Sequence, residues 1–245
     1  MKLKKRINKH HIPSLFTLLN MFLGFLAIIS VVEGNYPRAA YLIVGAAIFD
    51  ALDGKLARWI QRPSQFGMEL DSLADVISFC LAPALLIWAL YAPDLHPVLG
   101  GLIAGAPLYF GALRLARHNV GQRSKPQSYF EGLPSPANAL VIVALVFYYY
   151  GQGQSAAKVV LPIIMATSFL MISPIRYAKT PRLTLRAGLG NTLYLAAIIA
   201  TLISLPIFGG RIVLPIVLAY VLSGLVRWLT RADSTTELHS VEEEA

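Results

Sequence analysis

Cysteine is almost missing from this 245-residue chain: Cys80 stands alone, which excludes an internal disulfide and leaves no cysteine cluster for a zinc site. Charge is scarce as well, at 14% of residues against 56% hydrophobic, and the mean hydropathy of +0.60 lies outside the range of soluble domains. No polar stretch is long enough for a separate soluble domain, because apolar runs of membrane-crossing length recur from near the first residue to near the last. What remains is an all-α polytopic membrane protein. Acidic residues are the scarcer charge, 13 against 21 Lys and Arg. The surplus of +8 does not point to nucleic acid, because the basic residues are placed as topogenic signals.

Polar, Gly and Pro punctuation divides the chain into about eight spans, near 13–32, 38–61, 66–91, 97–116, 135–150, 158–178, 189–208 and 211–229. The apolar run of the first exceeds a signal-peptide core and no small-residue cleavage site closes it, so it is expected to be retained. The segments outside these spans or at their ends hold 5, 1, 3, 0, 4, 1, 4, 1 and 2 Lys or Arg in order, high and low alternating throughout. The positive-inside rule then predicts cytoplasmic N- and C-termini. One transmembrane catalytic domain is expected over 1–230, followed by a polar, flexible tail over 231–245.

Against this apolar background the segment from Phe49 to Val76 concentrates five acids: Asp50, Asp53, Glu69, Asp71 and Asp75. The second span turns near Arg62, Pro63 and Ser64 and returns as the third. At about 1.5 Å per residue, the four aspartates fall at matched depths, roughly 12 to 20 Å from that turn. Asp50 and Asp53 are spaced i, i+3, and Asp71 and Asp75 i, i+4, so each pair shares a helix face. Carboxylates crowded in a low dielectric repel unless they are protonated or bridged by cations. An all-oxygen set suits Mg²⁺ or Mn²⁺. Gly54, Ala57 and Gly67 keep the neighbourhood small enough for a bulky ligand, and Arg58 supplies a guanidinium suited to phosphate. Together these features point to phosphoryl transfer on a lipid substrate. Intramembrane acids are costly, which weighs against a merely structural network.

Asp50, Asp53, Gly54, Ala57, Arg58, Gly67, Asp71 and Asp75 reproduce DxxDGxxAR followed by GxxxDxxxD, and on those positions the chain resembles the CDP-alcohol phosphotransferase family. IPSLFTLLNMFLGFLA at 12–27, RLARHN at 114–119 and FEGLPSPANAL at 130–140 make it most similar to the integral-membrane branch that accepts serine, with Ser14 and His118 where that branch usually has Asn and Phe. The resemblance implies the family fold, with a shared core over about 12–178 and additional helices over about 189–229. It implies transfer of a phosphatidyl group from CDP-diacylglycerol to L-serine, giving phosphatidylserine and CMP, at an active site on the cytoplasmic side. It also implies two divalent ions, Mg²⁺ or Mn²⁺, on Asp50, Asp53, Asp71 and Asp75. Asp75, with Asp71, would be catalytic, and Asp75 the general base. Thr17, Asn20, Asp50, Gly54, Ala57, Arg58 and Gly67 would surround the CDP moiety, in a homodimer among membrane lipids.

Other readings stand beside these. Thr17 and Asn20 could serve as interhelical hydrogen-bonding groups. Arg114 and Arg117 could hold the lipid phosphate or the serine carboxylate, with Ser135 nearby, whereas Arg123 and Lys125 fit equally well as topogenic charge. Ser135 and Pro136 also fit the N-cap and first position of a helix. His10, His11, Lys4, Lys5 and Arg6 suit the headgroup surface. The same hairpin chemistry would serve glycerol 3-phosphate, inositol phosphate or choline as acceptor. An ion-coupled transporter would show repeated halves with interrupted helices; helices five to eight offer no counterpart to the acidic hairpin.

Overall fold

The first corner of the fold is written in three residues. Helix α1, Ile12–Val32, ends with Gly34 in the left-handed region at φ 74°. There the Gly34 N–H bonds to Val31 O and the Asn35 N–H to Ser30 O, the paired bonds of a Schellman stop. Asn35 then caps α2, Tyr36–Trp59, its side-chain oxygen accepting from the Arg38 N–H at 3.2 Å. The two helices return antiparallel along each other.

The computed structural model describes residues 12–59, 65–122, 129–152, 154–178 and 210–243, and within these the side chains of 12–14, 54–59, 121–122, 129, 154, 178, 210–212 and 231–243 are left aside. The expected turn at Pro63, Arg123, Lys125, the N-terminal histidines and the span near 189–208 lie outside the described residues.

α3, Gln65–Asp75, does not continue as one regular helix. It passes into a π-helical turn, Val76–Leu81, and then into α4, Ala82–Tyr91. The cause is Pro83, which has no N–H and whose ring would strike the carbonyl of Phe79 in a regular helix. The chain inserts one extra residue instead, seen in the Ala82 N–H reaching back to Ile77 O. α5, Pro97–Ala104, and α6, Ala106–Gln122, form a pair bent by 43° at Gly105. Strand β1, Tyr129–Glu131, leads into α7, Ser135–Tyr149; α8, Gln154–Leu170, leads into β2, Arg176–Ala178; and α9 spans Gly210–Glu243, running on through the polar segment after 231.

The sixth helix was placed at 158–178, yet α8 ends at Leu170, and the residues from Arg176 pair antiparallel with β1, Phe130 opposite Tyr177. Edge backbone groups outside a helix need partners, and the two loops supply them to each other. Ser135 is not an N-cap: Pro134 occupies that position, no side-chain cap forms, and the Ser135 hydroxyl is used elsewhere.

α7 is the central helix. Val141 to Val146 are buried without interruption, which an element apolar on every side achieves only inside a bundle. It packs against α2, α4, α8 and α9. The outer helices instead expose large apolar side chains, such as Leu18, Phe22 and Phe25 on α1 and Leu222 and Val226 on α9, the pattern of lipid contact. Leu15–Val32, Gln65–Tyr91 and Val213–Thr230 are long and apolar enough to cross a membrane, and the bent α5–α6 pair makes a fourth such unit. α7 and α8 are shorter apolar helices. The chain is thus a mostly helical membrane protein with three to four such spans among the described residues.

A candidate metal and phosphoryl-transfer site

Three of the four aspartates expected to meet come together where α2 and α3 both pack against α1. One carboxylate oxygen each from Asp50, Asp71 and Asp75 lies within 4.8 Å of the others, an arrangement able to hold a metal ion. Asp53 is a neighbour whose charge reaches Asp50 and Asp71, and its own carboxylate accepts the hydroxyl hydrogen of Thr17 from α1. Thr17 and Asp53 are both buried, so this contact fixes α1 against the acidic face of α2.

The π turn aims the last of these acids. Asp75 is the final residue of α3, and three residues on, the Ser78 hydroxyl donates to the backbone oxygen of Asn20 at 2.9 Å. That contact requires Gly24: a Cβ there would fall on the Ser78 side chain. α1 and the π turn therefore lie close enough for the Asn20 amide to sit beside Asp75. Apart from this approach of Asn20 to Asp75, neither the Asn20 amide nor Asp75 Oδ1 has a close hydrogen-bond partner among the described residues.

Such buried, unpaired oxygens carry a desolvation cost unless a ligand meets them. The Arg38–Glu33 contact at 3.4 Å is an exposed ion pair on the α1–α2 corner, and among the described side chains no Lys or Arg forms a salt bridge with Asp50, Asp53, Asp71 or Asp75. Converging carboxylates with an unsatisfied oxygen, and no Cys or His in the set, fit a hard divalent cation. Gly67 lies on α3 one turn before Asp71; Gly54, Ala57 and Arg58 follow Asp53 on the helical backbone of α2, with their side chains outside the description.

The two arginines of α6 part company. Arg117 is exposed and its Nη1 donates to the backbone oxygen of Ile172 at 3.2 Å, past the end of α8. Arg114 is 6% exposed, near enough to Asp75 for their charges to interact, and its Nη1 donates to Ser135 Oγ at 3.2 Å. The guanidinium also lies 5.9 Å from the centre of the Phe130 ring. Its Nε has no hydrogen-bond partner among the described residues.

Ser135 reaches Arg114 because the corner before α7 is held from two sides. The Gly132 N–H bonds to Ile175 O and the Leu133 N–H to Leu170 O. Gly132 has φ 74°, and a Cβ there would collide with the Met171 backbone oxygen, so no other residue brings this corner onto the end of α8.

Sequence reasoning missed three polar features. Asn119 on α6 donates to Glu69 at 3.1 Å and Ser72 at 3.0 Å, bracing the α3 face that carries Asp71. Ser78 and the π turn were missed, although Pro83 inside an apolar run was the available signal. Asn138 on α7 is fully buried, its Nδ2 donating to Ser168 at 3.5 Å while Oδ1 finds no partner among the described residues. A lone amide in the apolar run ANALVIVALV was its signal.

Comparison with known proteins places this geometry in context. Residues 10–172 match the family described as CDP-alcohol phosphatidyltransferase. The chain is 33% identical over 224 residues to the CDP-diacylglycerol–serine O-phosphatidyltransferase of Helicobacter pylori, covering 89% of this chain and 90% of the relative. It is 37% identical over 170 residues to the archaetidylserine synthase of Methanothermobacter thermautotrophicus, covering 69% and 70%. A Bacillus subtilis CDP-diacylglycerol–serine O-phosphatidyltransferase is 33% identical over 173 residues, 69% of this chain and 90% of its own.

Proposed function

The chain belongs to the CDP-alcohol phosphatidyltransferase family, and from that membership we propose that it transfers a phosphatidyl group from CDP-diacylglycerol to the hydroxyl of L-serine. The observation that carries the reading is the convergence of Asp50, Asp71 and Asp75 around an unpaired Asp75 oxygen, in a chain whose relatives are named for serine transfer. Asp50, Asp53, Asp71 and Asp75 would hold two divalent ions, Mg²⁺ or Mn²⁺. When bound, such ions neutralise the diphosphate and the charge that develops on the leaving CMP.

The chain's own residues do the rest. Thr17 fixes Asp53, and Asn20 places its amide beside Asp75 at the edge of the site, where the CDP moiety would lie along Asp50, Gly54, Ala57, Arg58 and Gly67. Asp75 Oδ1 takes the proton of the serine hydroxyl as that oxygen bonds to the phosphorus bearing diacylglycerol. The bond from that phosphorus to the bridging oxygen breaks, and CMP departs with the electron pair. Burial of Asp75 restricts water, which would otherwise compete as acceptor. The displacement is direct, with no phosphoenzyme.

The rest of the reading is architectural. Eight spans, both termini and the site facing the cytoplasm, and a homodimer complete it, supported by the alternating basic segments and the family membership. The family core at 12–178 and the added helices at 189–229 form one domain over 1–230, with 231–245 as a tail. Purified protein given CDP-diacylglycerol and a panel of alcohols tests the function: CMP release is expected with serine in preference to glycerol 3-phosphate, inositol phosphate and choline. A better rate with any of these overturns the serine assignment, and a CDP-linked ether lipid run alongside fixes the donor class.

A further inference from the structure

The family match ends at residue 172 and α9 lies beyond it, yet one face of α9 is built into the bundle. Val213, Val217, Val221 and Gly224 are buried and Tyr220 is half-buried, at the three- and four-residue spacing of a single helix face, and α9 packs against α7 and β2. Gly224 permits the close approach to β2. A Cβ there would fall on the ring of Tyr177, which is buried and has no room to swing aside. One turn earlier, Tyr220 sets its own ring 5.8 Å from that same Tyr177 ring.

The stack continues inward. Tyr177 pairs directly with Phe130 across the β1–β2 ladder, which puts both side chains on one face of it, and the Phe130 ring lies 5.9 Å from the Arg114 guanidinium. The Tyr220 side chain also comes near enough to Arg114 for the two to interact. We propose that α9 supplies a positioning residue to the site: Tyr220, seated against Tyr177 and through it against Phe130, fixes the direction in which the Arg114 guanidinium enters beside Asp75. The hydrogen bond from Arg114 Nη1 to Ser135 Oγ leaves the guanidinium plane free to turn about that contact, and the rings beside it remove that freedom. This role rests on the phosphatidyl-transfer reading and is independent of which group Arg114 itself meets.

The test follows CMP release from CDP-diacylglycerol and serine by the full-length purified protein. Tyr220→Leu keeps apolar bulk but loses the flat ring, and is expected to lower kcat/KM about tenfold, the scale of one desolvated cation–aromatic contact. Tyr220→Phe keeps the ring and should hold kcat/KM within about threefold of wild type. Val213→Ala lies on the same buried face of α9, two turns from Tyr220; it should lower the melting temperature while kcat/KM stays within about twofold. In an Arg114→Lys background the planar group is gone. There Tyr220→Leu should cost no more than about twofold further, because two changes that act through one group do not add.

If wild-type protein does not use serine, the functional reading fails. If it does, and Tyr220→Leu keeps wild-type kcat/KM or Val213→Ala loses activity in step with it, α9 only packs and the positioning role is wrong. A full further loss on top of Arg114→Lys would also overturn it, since Tyr220 would then act elsewhere, and a Tyr220→Phe variant as slow as Tyr220→Leu would overturn the ring stack as the cause. Should Arg114→Lys be inactive, the contrast between Tyr220→Leu and Val213→Ala decides the matter.

Discussion

The two sides of the site were built in opposite ways. On the acidic side, proposed for the donor, Asp50 of α2 and Asp71 and Asp75 of α3 come together from one stretch of sequence, at helical spacing and with both helices packed against α1. On the opposite side, Arg114 and Ser135 come from two helices whose contact depends on Gly132 letting the corner before α7 press onto the end of α8. Local periodicity suffices for the first, and close packing between distant segments makes the second. The acidic, donor side should therefore fail through charge and the Arg114–Ser135 side through geometry.

The sharpest way to break that contrast is to strip divalent cations. EDTA is expected to abolish CMP release, with Mg²⁺ or Mn²⁺ restoring it; full turnover in chelator would remove the donor side as a metal site. Asp75→Asn, which keeps shape and loses charge, should lower kcat by about 10³-fold without a drop in thermal stability, within the range for loss of a general base. A melting temperature that falls with the activity would mean that the carboxylate holds the fold rather than the reaction.

Geometry is probed from the other side. Gly132→Ala forces a Cβ into the Met171 backbone oxygen at a positive φ and is expected to cost roughly 1–3 kcal/mol, read as a lower melting temperature in detergent. Its activity loss should appear in the serine KM before the CDP-diacylglycerol KM, because the strain lies beside Ser135 and away from the acids. The smallest effect is expected from Thr17→Val, which removes one donor to Asp53. A change of about 1 kcal/mol in stability and a few-fold weaker metal dependence would place Thr17 as a support for the acids. An effect as large as that of Asp75→Asn would erase the difference between an acid and its support.

Legibility in the sequence followed the same division. The break between the first two spans was readable from polar, Gly and Pro punctuation, and the matched depths of the aspartates from counting residues about Pro63. The π turn was not, because a sliding count of apolar residues does not register the one-residue insertion that Pro83 enforces. The end of α8 at Leu170 was also missed. Pro174 was the available signal, since it has no N–H and its ring would strike the Leu170 carbonyl in a continued helix; β1 across the gap then partners the freed backbone. Arg114 and Arg117 looked equivalent at i, i+3, and what lies beside each one separates them.

Composition and spacing by themselves determined that this chain lives in a bilayer and that its acids gather on one hairpin, since hydropathy and helical period are properties of neighbouring residues. Which oxygens stay unpaired, which arginine turns inward and where α7 begins were decided only by the tertiary structure. Burial and hydrogen bonding between segments far apart in the chain depend on contacts that no local pattern encodes.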